Sequence, residues 1–457
     1  MRLGFSNKQS KLIQNLGFYK FLEESFKTKF DDTIPEFLAD SPKSYEDFKA
    51  LRKERKEQNP EERKDLLRKE VTTSNEMKSW WINKMITDEF PLREKMTCFW
   101  HNHYVATFQK TKVNHWIFHH NQILRENAFG NFKDLTKKMV KTNVIIKYLD
   151  NNDNKVGKLN ENLSRELLEL FTLGIGNYTE EDIKNGAKGL AGLSIGEENA
   201  IYRPKFQDNE SFEYFGKKGN FKIDEMIDII FEQPNIPYFL TRKILKWFLY
   251  DNPKEETVKY YGDYFRKQKF EIKPLLNKIF TEEFVKQNAG SKIKSPLEYV
   301  LQLTDELNIE KPNGKLISYF LDQQNMDLFN QPNVKGWSGG NSWLTSQTFL
   351  QRNNVADLLC NGKNFPKRKK QVIDAEMISE DNTKNTLVIK LNWNKAGNNK
   401  EIIEELKNRL LYSVDENTQL DFEKILKYDF DSNTEGSDNA VLRLFNAMAK
   451  TPEFQLI

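Results

Sequence analysis

Asn160-Glu161-Asn162-Leu163-Ser164-Arg165-Glu166-Leu167-Leu168-Glu169-Leu170-Phe171 reads as a helix. Leu163, Leu167, Leu170 and Phe171 share one face at the three- and four-residue spacing of an α-helix. The run stops at Gly174, the residue type expected just past a helix end. Shortly after, Thr179-Glu180-Glu181-Asp182 has the form of a capping box that opens another helix. The same pattern of apolar stripes between capping and breaking residues extends in both directions, and it decides the fold.

Upstream, residues 8–30 place Leu12, Ile13, Leu16, Phe18, Tyr19, Phe21 and Leu22 at helical intervals. Asp40-Ser41-Pro42 breaks the chain. A charge-dense helical stretch follows over 44–69, interrupted at Pro60, and then an aromatic-rich helix over 74–88 around Trp80 and Trp81. Residues 114–128 read as a helix with Asn114 as its N-cap, and 131–148 as the next. Downstream, helical patterns cover 223–232, 236–250, 255–267, 272–280, 295–308 and 345–360, and most of 400–457. Thr386-Leu387-Val388-Ile389-Lys390-Leu391 is the only persuasive strand. The expected fold is mainly α: a multi-helix globular array with irregular loops and at most a small β element near residues 386–393. Residues 1–360 would form a main helical domain and 361–399 a variable insertion or loop with the short strand. Residues 400–457 would be C-terminal helices packing back on the main domain.

The 457 residues hold 33 Phe, 16 Tyr and 8 Trp, enough large apolar surface for a substantial core despite a hydrophobic fraction of 38%. Lys and Arg number 70 against 67 Asp and Glu, for a net charge of +3. This near balance argues against nucleic-acid binding, which calls for a basic excess or stripe. The densest basic run, Lys367-Arg368-Lys369-Lys370, reads as a solvated loop. Two cysteines, Cys98 and Cys360, make neither a disulfide framework nor a metal ribbon. No apolar run is long enough for a transmembrane segment, and no export signal opens the chain at Met1. No Gly-x-Ser-x-Gly elbow or glycine-rich phosphate loop occurs.

All five histidines lie within one 20-residue stretch: His101, His103, His115, His119 and His120. The first pair sits in Cys98-Phe99-Trp100-His101-Asn102-His103-Tyr104. On a regular helix, positions two apart point about 200° away from each other, so His101 and His103 could not share a metal. On an extended segment they would share a face, as two-histidine metal sites require. His103 is therefore a core histidine bonded to a carboxylate, a metal ligand or a general base. Glu166, at the edge of the apolar face of its helix, needs a partner if buried. That partner is a cation, a metal, or a core histidine such as His103. Glu161, Arg165 and Glu169 lie on the other side of the helix as an ion ladder. Trp337 and Trp343 flank Gly339-Gly340 in a loop, where they either stack on sugar rings or plug the core.

Together these strings resemble a bacterial family, the domain of unknown function 1800 family. The resemblance rests on Phe99-Trp100-His101-Asn102-His103-Tyr104, Leu124-Arg125, Gly130-Asn131-Phe132, Tyr148-Leu149-Asp150-Asn151, and the run from Asn160 to Gly174. It continues in Tyr178-Thr179, Pro332-Asn333-Val334-Lys335-Gly336-Trp337, Trp343, Arg352 and the ending Thr451-Pro452-Glu453-Phe454-Gln455-Leu456. It implies no established activity. It does imply a periplasmic or extracellular location, with the export signal removed. It further implies a sulfatase- or phosphatase-like envelope protein as partner, and the Trp337 loop adds a glycan as the other candidate. The chain departs from the family pattern at Gln207-Asp208, where His-Asp is frequent. It departs again at Asn127, where histidine is frequent, and at His120, where glutamine is usual. If the missing histidines are ligands, this member is metal-free or altered.

Two functions follow as expectations. One is an envelope enzyme with its site between the histidine segment and the Glu161–Glu169 helix, assisted by one transition-metal ion. Its catalytic candidates are His103, Glu166, His101 and Glu161, and its metal candidates are His101, His103 and Glu166. Arg125, Arg165, Asn162, Trp337 and Trp343 are its candidate substrate-binding residues. The other is a non-catalytic helical module that binds a partner protein or a glycan.

Overall fold

Proline and glycine set the helix boundaries. Gly17, at φ 80°, divides the first apolar stripe into helices Lys8–Leu16 and Phe18–Lys27. Pro60 does not interrupt a helix. It opens one, at the first-turn position where its missing N–H costs nothing. The result is a single 28-residue helix, Pro60–Thr87, that joins the charged stretch to the Trp80-Trp81 stripe. The computed structural model describes residues 2–57, 59–286, 289–309, 312–362, 387–427 and 429–457. Among them are twenty-one α-helices and two small antiparallel sheets, so the fold is mainly α.

Most helices fall where the apolar spacing puts them: Ile223–Phe231, Ile236–Phe248, Glu255–Lys267, Pro296–Glu306 and Ser346–Cys360. The Thr179 capping box forms with Asp182 as its third residue, and opens Glu180–Leu190. The 131–148 stretch is two helices, Phe132–Val140 and Asn143–Tyr148, because Thr142 caps the second through its side chain. Asn114 is not an N-cap. Its side chain donates to the Glu70 carbonyl at 3.1 Å, and Val113 takes the cap position of Asn114–Glu126.

The β structure lies elsewhere than expected. Residues 387–394 form no strand; the N–H of Leu387 donates to Gly362 and that of Lys390 to Leu307, so no ladder develops. Thr386 and the basic run at 367–370 lie outside the described residues. The strands are Leu193–Ser194 with Ile201–Tyr202, and Phe212–Tyr214 with Lys217–Gly219. The second pair turns at Phe215-Gly216, both at positive φ, the two-residue geometry that matches strand twist.

Both chain ends are fastened to one segment. Ile457 and Lys292 exchange backbone hydrogen bonds of 2.8 and 3.2 Å, and Lys294 N–H donates to Gln455 O at 2.8 Å. The Arg2 guanidinium donates to Ile457 O at 3.1 Å and Ser291 Oγ at 3.0 Å. Beneath this seam, buried Glu298 accepts from Lys95 at 2.6 Å and from Lys292 at 3.2 Å. Among the described residues, no helix is long and apolar enough to cross a membrane.

Candidate functional site

The segment carrying His101 and His103 is helical, Leu92–His103, so the two rings leave it in different directions. His101 packs against Trp81, His120 and Phe329, with ring centroids 5.5, 5.1 and 5.1 Å away. His103 packs against Phe99, Tyr104, Phe132, Phe171 and Phe239. The extended alternative fails, and with it a metal shared by the pair. Among the described residues, no three His, Cys, Asp or Glu side chains come together to hold a metal ion.

His103 is bonded to a carbonyl, not to a carboxylate. Its Nε2 lies 3.0 Å from Phe171 O. A carbonyl only accepts, so Nε2 carries the proton and Nδ1 holds a lone pair. That Nδ1 is buried and has no hydrogen-bond partner. Burial, and then the nearby Lys243 ammonium, hold the imidazole well below its usual range, so it is neutral at pH 7. Phe171 belongs to a π-helical stretch, Leu167–Thr172, that continues the short helix Asn162–Glu166. Gly174 ends it at φ 82°, as the sequence indicates. Such widened turns cluster at functional sites.

His103 lines a pocket of about 300 Å³, the small end of the range for ligand sites. Its walls come from the Leu92–His103 helix, the Ile236–Phe248 helix and the Trp337 loop, with Glu298 at its inner end. Trp247, Trp337 and Trp343 supply flat apolar surface. The indole N–H groups of Trp247 and Trp337 have no partner, so three unpaired polar groups belong to residues lining one cavity. The charge is lopsided. Lys95, Lys243, Lys246, Lys292 and Lys335 face Glu298 and Asp251, five cations against two carboxylates. Glu298 answers Lys95 and Lys292. Among the described residues no carboxylate pairs with Lys243. Its Nζ lies 3.4 Å from Leu170 O and 5.2 Å from the centre of the Phe239 ring, and burial lowers its pKa to about 7.

Asn102 sets the Trp337 loop in place. Its side-chain oxygen accepts from Trp337 N–H at 2.6 Å, and its amide donates to Trp337 O at 3.2 Å. Gly336, at φ 79°, packs so closely that a Cβ there would meet Asn102 Oδ1 at 2.2 Å. The Gly-Gly pair that follows also has positive φ, 71° and 54°.

Of the sequence-derived candidates, His103, Trp337 and Trp343 meet at this pocket. His101, Glu161, Asn162, Arg125, Arg165 and Glu166 do not line it. Arg125 cannot greet a ligand. Its guanidinium is buried, bonds Glu94 at 2.7 and 3.0 Å, and lies beneath Trp80. Arg165 pairs on the surface with Glu161 and Glu180, and the Asn162 side chain is exposed. Half-buried Glu166 has its carboxyl pushed up by burial and by Glu169. Glu169 accepts from Tyr178 at 2.9 Å and lies 3.7 Å from Lys335, so this acidic pair flanks the pocket through Lys335. The sequence reading missed Lys243, Lys246 and Trp247. They fall in a helix whose apolar periodicity explains itself, and only the fold brings them opposite His103.

The molecule is thus a mainly α protein with a small, aromatic, cation-rich pocket beside a neutral histidine. The family described as protein of unknown function (DUF1800) matches residues 1–456, and the chain belongs to that family. The resemblance seen in the motifs therefore runs through 361–399 as well. No curated protein and no solved structure matches the chain.

Proposed function

We propose that this protein binds a small anionic, ring-bearing ligand in the Trp337 pocket, with an acidic sugar as the fitting class. One observation carries the reading: three buried polar atoms without a partner, on His103, Trp247 and Trp337, belong to residues that line a single cavity with an excess of lysine. A buried polar group without a partner is costly, and a ligand hydroxyl or carboxylate would satisfy it. His103 Nδ1 accepts from a ligand hydroxyl, the indole N–H groups donate, and Lys243, Lys246 and Lys335 attract the acid. The tryptophan faces suit the C–H side of a sugar ring. His103 is then the group able to take a proton, with no metal called upon. This favours the glycan-binding expectation over the metal-assisted enzyme, whose ligand residues stand apart.

The test is calorimetric titration with glucuronate and glucose 6-phosphate, beside glucose as the neutral control. Binding of the acids alone, lost in Trp337→Ala and Trp343→Ala variants that keep their melting temperature, is the expected result. Equal affinity for glucose, or no binding, overturns it. A periplasmic or extracellular location, and a sulfatase- or phosphatase-like partner, are further proposals that rest on the family resemblance. Fractionation of the source cells tests the first, and co-purification the second.

A further inference from the structure

Half-buried Lys243 stands out beside the buried cations Lys95, Lys292 and Lys294. Lys95 and Lys292 share Glu298, and Lys294 is held by the Phe454 carbonyl above that residue's ring. Lys243 instead has a long contact to one carbonyl, a ring beneath it, and an open cavity that it shares with His103. An amine so placed adjoins the cavity and, among the described residues, is not masked by an ion pair.

We propose that Lys243 is a nucleophilic amine that condenses with the carbonyl carbon of a small anionic aldehyde or keto acid held in the Trp337 pocket. The proposal rests on the pocket described above and adds covalent chemistry to it; the open-chain form of a uronic acid belongs to this class. In the step, the lone pair on Nζ forms a bond to the carbonyl carbon, and the C=O π pair moves to oxygen. His103 Nδ1 relays the two amine protons in turn, the first to the new alkoxide and the second to the hydroxyl as it departs. One water leaves, carrying the carbonyl oxygen and both amine protons, and a C=N bond remains. No oxidant or reductant is consumed.

Several charged groups surround the amine. Lys246 follows one turn later on the same helix, Lys335 lines the cavity from the Trp337 loop with Glu169 of the π-helical stretch 3.7 Å from it, and Asp251, Glu298, Lys95 and Lys292 also line the cavity. These cations favour an anionic carbonyl compound and, with burial, favour the neutral amine. At neutral pH a lysine near 7 is about half in the reactive form, against roughly one part in a thousand or less for an ordinary exposed lysine.

The experiment treats the full chain with glyoxylate, and separately with pyridoxal 5′-phosphate, in the presence of cyanoborohydride, and maps adducts by peptide mass spectrometry. The expected result is modification of Lys243 at least about tenfold ahead of exposed Lys246, rising with pH through a midpoint near 7. Lys243→Arg keeps the charge and removes the adduct, whereas Lys246→Arg leaves it. Labelling spread evenly over exposed lysines, or an adduct pattern unchanged in Lys243→Arg, overturns the proposal. Glucuronate titration of the same variants separates the two readings. If acids bind but Lys243 stays unmodified, only the nucleophile falls. If Lys243 is modified but sugars do not bind, only the acidic-sugar reading falls. If neither occurs, both fall.

Discussion

The Nε2–H of His103 reaches the carbonyl of Phe171 at 3.0 Å, tying the histidine helix to the π-helical stretch and fixing the imidazole tautomer. With its proton on Nε2, the ring presents Nδ1 as an acceptor. Long-range proton–nitrogen spectra of histidine-labelled protein should show the neutral Nε2–H tautomer for His103 at pH 6.5, where a free imidazole is half protonated. An imidazolium signal already at pH 6 would contradict the burial that holds it neutral. A bound acidic sugar should shift the Nδ1 resonance and leave Nε2 nearly unchanged.

Gly336→Ala should impair ligand binding far more than stability. The new Cβ would collide with Asn102 Oδ1, and the φ of 79° is unfavourable for alanine by about 1–2 kcal/mol. The loop must shift, carrying Trp337 with it. Tryptophan fluorescence should report a changed environment, and glucuronate affinity should fall at least about tenfold, which is about 1.4 kcal/mol. Unchanged affinity would show that the Trp337 position is immaterial.

Arg125→Met should destabilise the fold by about 3–5 kcal/mol, because it strands the buried Glu94 carboxylate. Trp81 also donates to that carboxylate, at 2.8 Å, and would have to help hold it alone. Replacing both partners, Glu94→Leu with Arg125→Met, should recover most of the loss in urea unfolding. A weak single-variant effect would mean that Glu94 finds another cation.

Acid should weaken the protein through His120 in particular. Its Nε2–H donates to Tyr104 O at 2.8 Å, and burial lowers its pKa to about 3. The unfolded chain binds this proton near pH 6.5 and the folded chain does not. Stability is therefore intact above pH 6.5 and falls as pH drops toward 3. From pH 6.5 to 5 this one group accounts for about 2 kcal/mol. His120→Gln keeps a donor for Tyr104 and should flatten the melting-temperature profile over that range. An unchanged slope would assign the acid sensitivity to other groups.

The helical periodicity was legible wherever one apolar face met punctuation, as in Glu255–Lys267 and the Thr179 box. It was less legible where a punctuating residue had two meanings. Pro60 reads as an interruption but starts a helix, and Asn114 reads as a cap but bonds a distant carbonyl. The strand reading at 386–391 failed over the described residues because 387–391 have no paired neighbour to complete a ladder. The site was half legible. His103, Trp337 and Trp343 stood out as rare residue types in dense strings. Lys243 did not, because one lysine in an amphipathic helix looks like any other until its neighbours are known. Arg125 misled for the converse reason, since nothing local reveals that Glu94 neutralises it.

Ile457 and Lys292 close the seam that also receives Arg2. Residue 457 is synthesised long after residue 292, so the inner wall of the pocket lacks its backing until the ribosome has passed both. A nascent chain of this kind matures late, and its pocket stays unfinished for as long as residues 455–457 are withheld.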